Sequence, residues 1–320
     1  MRGADYLLKR TLFALVTVFV AVTLNFVLFR ALPGDAVSNL SHVPHATPAL
    51  RLALQKEFGL DKPMWEQYLL YLKELSRGNL GVSFATQQPV WSQLRSKLAN
   101  TIPMVALGTA VAIIIGIGTG VLSAWRRGTV TDHISTNTAI AFYAFPTQWL
   151  GLMLLILFAG VLPSVGMHDP FIVGAGFWAS KLDALKHMVL PAATLALTLY
   201  GEFTLVVRSS MLETMGEDYV LTARAKGMKS WTIVRTHALR NAMLPTTTLI
   251  ALSLGYVVAG TILIETVFSW PGVGQSVYNS VINRDYPMLQ GAFLVLTLSV
   301  VFFNFVADLL YFRLDPRISA

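Results

Sequence analysis

Cysteine is missing from the chain, which removes disulfides, thiolate nucleophiles and zinc–thiolate sites while leaving the compartment open. Charge is scarce as well. Asp, Glu, Lys and Arg make up 13% of 320 residues, about half the share usual in a soluble domain. Hydrophobic residues reach 54% and mean hydropathy is +0.59. These shortages point to an integral membrane protein before any motif is considered. The sequence also lacks a Gly-x-x-x-x-Gly-Lys-Ser/Thr phosphate loop, a His-Glu-x-x-His pair and a nucleophile elbow. Its six histidines are scattered without metal-ligand spacing. No catalytic residue, no metal site and no cofactor bound by this chain is expected.

What is present in quantity is apolar sequence of membrane-crossing length. Residues 11–29 are uncharged and long enough for a bilayer core of roughly 30 Å. They exceed a signal-peptide core and no small-residue cleavage site follows, so they are read as a retained first span. Further spans are expected at 101–124, 134–162, 188–207, 246–264 and 288–310. The fold class is therefore an all-α integral membrane protein with six transmembrane helices. Residues 1–31 hold the N-terminal segment and first span, 32–100 a polar insertion, and 101–320 a core of five spans.

Several positions inside these spans invite two readings. Gly116-Ile117-Gly118-Thr119-Gly120 looks like a dinucleotide loop, but no strand precedes it, so close helix packing through Gly116 and Gly120 is expected. Pro146 interrupts the third span, as a packing kink or as backbone freed to line a water-filled path. Glu202 is an ionisable group in the fourth span, either reaching the interface and pairing with Arg208 or lining the path. Glu265 closes the fifth span, and Pro146, Glu202 and Glu265 are the candidates for a translocation path. In the insertion, Trp65, Leu69, Leu72 and Leu75 recur at helical spacing and predict an amphipathic helix at Met64–Ser76. Pro33-Gly34-Asp35 reads as a turn, 163–187 as a loop, and Pro271-Gly272 with Gly274 as a rigid turn.

The one long charged interval of the second half is the loop at 208–244. Asp218 is placed to cap a short helix running to Lys226, and Gly227 to take the left-handed C-terminal position. Ser230 is placed to cap a second helix, and Pro245 to begin a third. Positive charge marks this side. Six spans put both termini, 125–133 and 208–244 together, with Arg126, Arg127, Arg208, Arg224, Lys226, Lys229, Arg235 and Arg240 among them. The opposite short loops hold only Lys181, Lys186 and Arg284. The positive-inside rule puts the loop and both termini in the cytoplasm and accounts for the +7 net charge without nucleic acid.

The run Tyr219-Val220-Leu221-Thr222-Ala223-Arg224-Ala225-Lys226-Gly227, with His237-Ala238-Leu239-Arg240-Asn241-Ala242 and Leu244-Pro245, resembles the cytoplasmic coupling loop of ABC importer permeases. It is most similar to the dipeptide/oligopeptide/nickel branch of these binding-protein-dependent inner membrane components. Leu221, Thr222 and Ala223 stand where other branches have Glu-Ala-Ala, a departure similar to the peptide branch. Glu57–Pro63 with 77–84, Glu265–Gly274 with Arg284-Asp285-Tyr286-Pro287, and Asp315-Pro316-Arg317 extend the resemblance over nearly the whole chain. It implies that 32–100 is an extracytoplasmic insertion, whether structural cap or substrate contact. It also implies a coupling helix between the fourth and fifth spans.

The partners implied are a second homologous permease, two cytoplasmic ATPases carrying ATP and magnesium, an extracytoplasmic solute-binding protein and membrane lipid. The implied location is the bacterial or archaeal inner membrane. In the docking hypothesis, Glu213, Asp218, Thr222, Ala223, Arg224, Ala225, Lys226, Gly227 and Lys229 meet the ATPase, with Ala223 and Gly227 offering a low-relief face. Import of di- or oligopeptides is the expected task, with nickel, glutathione or another small solute as the alternative. From other classes, a proton-coupled secondary transporter would use carboxylates such as Glu202 and Asp308, and an intramembrane enzyme is disfavoured by the missing motifs.

Overall fold

A computed structural model describes residues 2–31, 62–172 and 176–314. The Pro33-Gly34-Asp35 turn, residues 57–61 and the terminal Asp315-Pro316-Arg317 lie outside the described residues. Within them the regular structure is helical, apart from one isolated bridge between Val82 and Pro89. In chain order the helices are α1 (Arg2–Ala31), α2 (Met64–Ser76), α3 (Val90–Trp125), α4 (Val130–Ala144), α5 (Thr147–Leu157) and α6 (Phe177–Thr214). Then follow α7 (Asp218–Ala225), α8 (Ser230–Ile233), a π turn (Val234–Ala238), α9 (Leu239–Gly260), α10 (Ile262–Val267), α11 (Val273–Ile282) and α12 (Tyr286–Leu314).

Among the described residues four helices, against the six spans expected, are long and apolar enough to cross a membrane: Asp5–Arg30, Val90–Trp125, Phe177–Thr214 and Tyr286–Leu309. The pair α4–α5 makes a fifth only if counted as one span bent by 107°. That angle is far beyond a proline kink; Phe145 and Pro146 are extended there, and the helix restarts at Thr147. On α1, Leu12, Phe13, Phe19, Leu24 and Leu28 point outward, while Val22 and Phe26 are buried. A patch of that size is suited to lipid and not to water.

The core is the α3–α6 pair. A Cβ at Gly116 would collide with the Cβ of Phe203, and one at Gly120 would lie 2.8 Å from the Thr204 carbonyl oxygen. The glycine run therefore serves close helix contact, as expected. Thr119 and Thr204 share a 2.9 Å hydroxyl hydrogen bond across the same seam. At one end Met104, Leu190, Leu195, Phe268 and Trp270 form a buried cluster; at the other Val121, Val207, Met211, Val234 and Ala238 do. Helix α1 packs on α12, where Asn25 donates to the Gln290 carbonyl at 3.1 Å and Arg10 meets Asp308 at 2.9 Å.

Some expected boundaries are corrected. The 163–187 interval is not all loop, because α6 begins at Phe177 and buries Asp183, Ala184 and His187. Pro245 does not begin a helix; it lies inside α9. Ile233, Val234, Ala238 and Ala242 make one buried stripe that holds the upstream segment helical, which outweighs the single bond the proline cannot donate. The helix expected at Met64–Ser76 has those bounds.

Candidate functional site

The charged loop folds as an elbow. Helix α7 ends in a left-handed glycine, Gly227, with φ +74. The Gly227 amide donates to the Arg224 carbonyl at 2.9 Å and the Met228 amide to the Ala223 carbonyl at 3.3 Å. Those two bonds form a Schellman closure, and its usual hydrophobic contact is present, with Met228 packed against Val220, Ala223 and Ile233. The elbow thus has a small core of its own. Asn241 donates to the Tyr219 hydroxyl at 2.7 Å, tying α7 to α9.

Its capping differs from expectation. The N-cap is Glu217, in extended conformation and without a side-chain cap bond, and Asp218 is the first helical residue. Asp218 still places negative charge where the helix dipole favours it. Ser230 likewise starts α8 with Lys229 at the cap. The Ser230 hydroxyl instead accepts a hydrogen bond from the Trp125 indole at 3.0 Å.

Ala223 is 5% exposed and faces Ile233, so it does not form an outer low-relief face with Gly227. That part of the expectation is corrected: period 3.6 turns Ala223 inward with Val220. Glu213, Asp218, Thr222, Arg224, Ala225, Lys226, Gly227 and Lys229 are exposed, and Leu221 joins them. The outward face is therefore acidic at the start of α7, basic at its end, and apolar between.

Beneath the elbow is a buried polar clamp that the sequence reading missed. Arg208 Nε donates to Asp132 Oδ1 at 2.8 Å and Nη2 to Oδ2 at 3.1 Å. Ser123 donates to Oδ1 at 2.5 Å and the Gly128 amide to Oδ2 at 2.9 Å. Asp132 is 3% exposed, so α3, α4 and α6 are joined here by a fork-to-carboxylate pair with its lone pairs used. In sequence Asp132 is an ordinary first-turn acid, and Arg208 one of many basic residues. The lone acid beside Arg126 and Arg127 was the available signal. Trp125 packs against Trp231 with ring centroids 5.1 Å apart and planes tilted by 49°, so the elbow rests on the clamp's own helix.

The three path candidates are not brought together. Pro146 is exposed at the α4–α5 break. Glu202 is half-buried on α6, and Arg208, its expected partner, is bound to Asp132. Glu265 is 0% exposed and has no surface to offer a solute. Its carboxylate accepts from Thr101 at 2.7 Å and from the Gln275 amide at 3.0 Å. It is an internal anchor for the α10–α11 turn. Asp308, the other carboxylate considered for proton coupling, is paired with Arg10.

Residues 112–320 match the family described as "Binding-protein-dependent transport system inner membrane component", and residues 4–105 match the N-terminal region of such membrane components. The dipeptide transport system permease protein DppB of Escherichia coli K12 is 36% identical over 98% of both chains. The di/tripeptide transport system permease protein DppB of Pseudomonas aeruginosa is 37% identical over 97% of this chain and 98% of its own. A putative peptide permease of Brucella ovis is 40% identical over 98% of both. Among solved structures, the inward-facing MetNI methionine ABC transporter shares the fold with TM-score 0.57 and 17% identity, covering 70% of this chain and 97% of that one. The chain therefore belongs to the family of binding-protein-dependent transport system inner membrane components, the non-catalytic permease subunits of ABC importers.

Proposed function

We propose that this permease imports di- or oligopeptides, and that its elbow is where separate ATPase subunits drive it. The observation that carries the reading is the elbow itself: a glycine-closed helix with its own core and an exposed, mixed-charge outer face. A solvated connector has no need of a Schellman closure or a private hydrophobic core. The relatives' printed roles, dipeptide and di/tripeptide transport, support the substrate class.

In this reading there are six spans, α9 being the fifth and α4–α5 the broken third, with both termini and the elbow in the cytoplasm. The excess of Arg and Lys on that side supports the orientation. Residues 32–100 then form the extracytoplasmic insertion, residues 101–320 the core, and the location is a bacterial or archaeal inner membrane. A second homologous permease, two ATPases holding ATP and magnesium, and a solute-binding protein complete the machine. Nucleotide-driven closure of the ATPases displaces the elbow, and the helices seated on it switch the path between outward-open and inward-open.

The test reverses charge on the outer face only. Arg224→Glu with Lys226→Glu in the full complex is expected to lower ATPase co-purification and ATP-dependent dipeptide uptake roughly tenfold or more, with an unchanged thermal midpoint. Normal co-purification and uptake would discard the docking role. Uptake by the wild-type complex of nickel or glutathione, but not of dipeptides, would discard the substrate.

A further inference from the structure

Helix α6 has three of its sides occupied at the level of Glu202. Phe203, Thr204 and Val207 face α3, where Gly116 and Gly120 let the two backbones approach. Gly201 faces α4, since a Cβ there would collide with the Ala139 carbonyl oxygen and the Cβ of Tyr143. On a third side Leu199 and Phe203 share an apolar cluster with Leu249 and Ile250 of α9. Thr198, Glu202, Leu205 and Ser209 recur at spacings of four, three and four, so they come round together on the side that is left. Thr198, Glu202 and Leu205 are half-buried and Ser209 is exposed.

That side does not suit lipid. The outward strip of α1 is apolar throughout, with Leu12, Phe13, Phe19, Leu24 and Leu28, whereas three of these four α6 residues are polar. Glu202 lies roughly 9 Å from Arg208 along the helix axis, at 1.5 Å per residue, toward the middle of the span Phe177–Thr214. An acid at such depth is costly against acyl chains, and acids inside spans face a bundle interior or a water-filled path. Asp132, Asp183, Glu265 and Asp308 all have partners within the chain. Glu202 has no hydrogen bond and no ion pair among the described residues.

We propose that Glu202 lines the translocation path and receives the α-ammonium of the passing peptide, a reading that rests on the peptide import proposed above. Every di- or oligopeptide with a free N-terminus carries that ammonium whatever its side chains, so one fixed carboxylate serves the whole substrate class. The ammonium donates to the Glu202 carboxylate, a charge-assisted bond. One turn away the Thr198 hydroxyl spends its proton on the Thr194 carbonyl at 2.9 Å, which leaves its oxygen as a second acceptor on the same side. A cation of the second permease would also satisfy Glu202. The peptide is favoured because the core of a subunit interface is depleted of charge, while Thr198 and Ser209 extend a polar strip on both sides of Glu202.

The test uses the full transporter, with its ATPases and binding protein, in proteoliposomes. The chain has no cysteine, so the thiol placed by Glu202→Cys is followed on this chain without background. A thiol in a water-filled path ionises and is expected to react with a cationic methanethiosulfonate, whereas one against lipid or in a packed seam stays unreacted. Glu202→Gln keeps the shape and removes the charge. Dialanine imported per ATP hydrolysed is expected to fall roughly tenfold or more in that variant, and Glu202→Asp to recover most of the loss. No labelling of Glu202→Cys, or an unchanged quotient for Glu202→Gln, overturns the proposal. Loss of the second permease from the purified Glu202→Gln complex also overturns it, by making Glu202 an assembly contact. A wild-type complex that moves no dipeptide takes down the peptide reading itself and this contact with it, an outcome distinct from wild-type uptake with an indifferent Glu202→Gln.

Discussion

Glu265 and Thr101 are 164 residues apart in sequence and share a 2.7 Å hydrogen bond in the interior, with Thr101 donating. Thr101 in turn accepts from the Val273 amide at 2.9 Å, and Glu265 accepts from the Gln275 amide at 3.0 Å. The carboxylate thus sits at the N-terminus of α11, where helix dipole and free amides favour negative charge. Gly272 is required beside it, since a Cβ there would collide with the Glu265 carboxylate. Glu265→Ala takes the acceptor from the Thr101 hydroxyl and the Gln275 amide at a buried site and is expected to cost about 2–5 kcal/mol. Thermal unfolding of the purified chain in detergent measures this, and Glu265→Gln, which keeps an acceptor, should lose clearly less.

The Asp132–Arg208 clamp calls for a different pattern. Removing Arg208 leaves the buried Asp132 carboxylate uncompensated, so Arg208→Ala is expected to cost about 3–5 kcal/mol. Replacing both by apolar residues of similar volume, as in Asp132→Leu with Arg208→Met, should restore most of that loss. A double-mutant cycle on the unfolding midpoint reads the coupling, and additive losses would show that the two side chains act independently.

How much of this was legible follows from what each residue's signal depended on. The glycine elbow and the α2 pattern are local, and they survive: Gly227 has the expected positive φ and α2 the expected bounds. Of the six spans expected from the apolar runs, four, or five with the bent α4–α5 pair, are long and apolar enough among the described residues. Gly116 and Gly120 also packed as their spacing implied. The polar anchors are not local. Asp132 meets Arg208, Glu265 meets Thr101, and Asp285 takes the Ser83 hydroxyl and, at 3.0 Å, the Phe84 amide, all across large sequence separations. In the sequence, Glu265 therefore read as a path residue and Arg208 as a partner for Glu202. Ala223 was misplaced for a simpler reason: a small residue fits an outer contact or an inner one equally, and only the facing Ile233 decides.

The corrected elbow separates two neighbours two residues apart. Ala223→Glu drives a charge into the contact with Val220 and Ile233, and is expected to destabilise the elbow by about 1–3 kcal/mol. Ala225 is exposed, so Ala225→Glu should leave the unfolding midpoint within about 0.5 kcal/mol of wild type. If the outer face receives the ATPase, Ala225→Glu nonetheless weakens co-purification. Equal thermal losses for the two variants would contradict the inward placement of Ala223.

If the elbow receives the ATPase, a push on it reaches the membrane first through Trp231 and Trp125. Trp231 packs against Trp125 at 5.1 Å between ring centroids, and the Trp125 indole donates to Ser230 at 3.0 Å. Trp125 is the final residue of α3, whose Ser123 reaches Asp132 and so α4. An aromatic pair of this kind contributes about 0.5–1.5 kcal/mol, too little to decide whether the chain folds. Trp231→Ala should therefore assemble and hydrolyse ATP near the wild-type rate, while solute imported per ATP falls severalfold. Trp231→Phe, which keeps a ring against Trp125, should recover most of the ratio. Uptake and hydrolysis measured on the same proteoliposomes give that quotient directly. A proportional fall in both rates would mean that the pair fixes the elbow in place and transmits nothing, and the route from ATPase to α4 would then have to run through the packing of Val234 and Ala238 on Val207 and Met211.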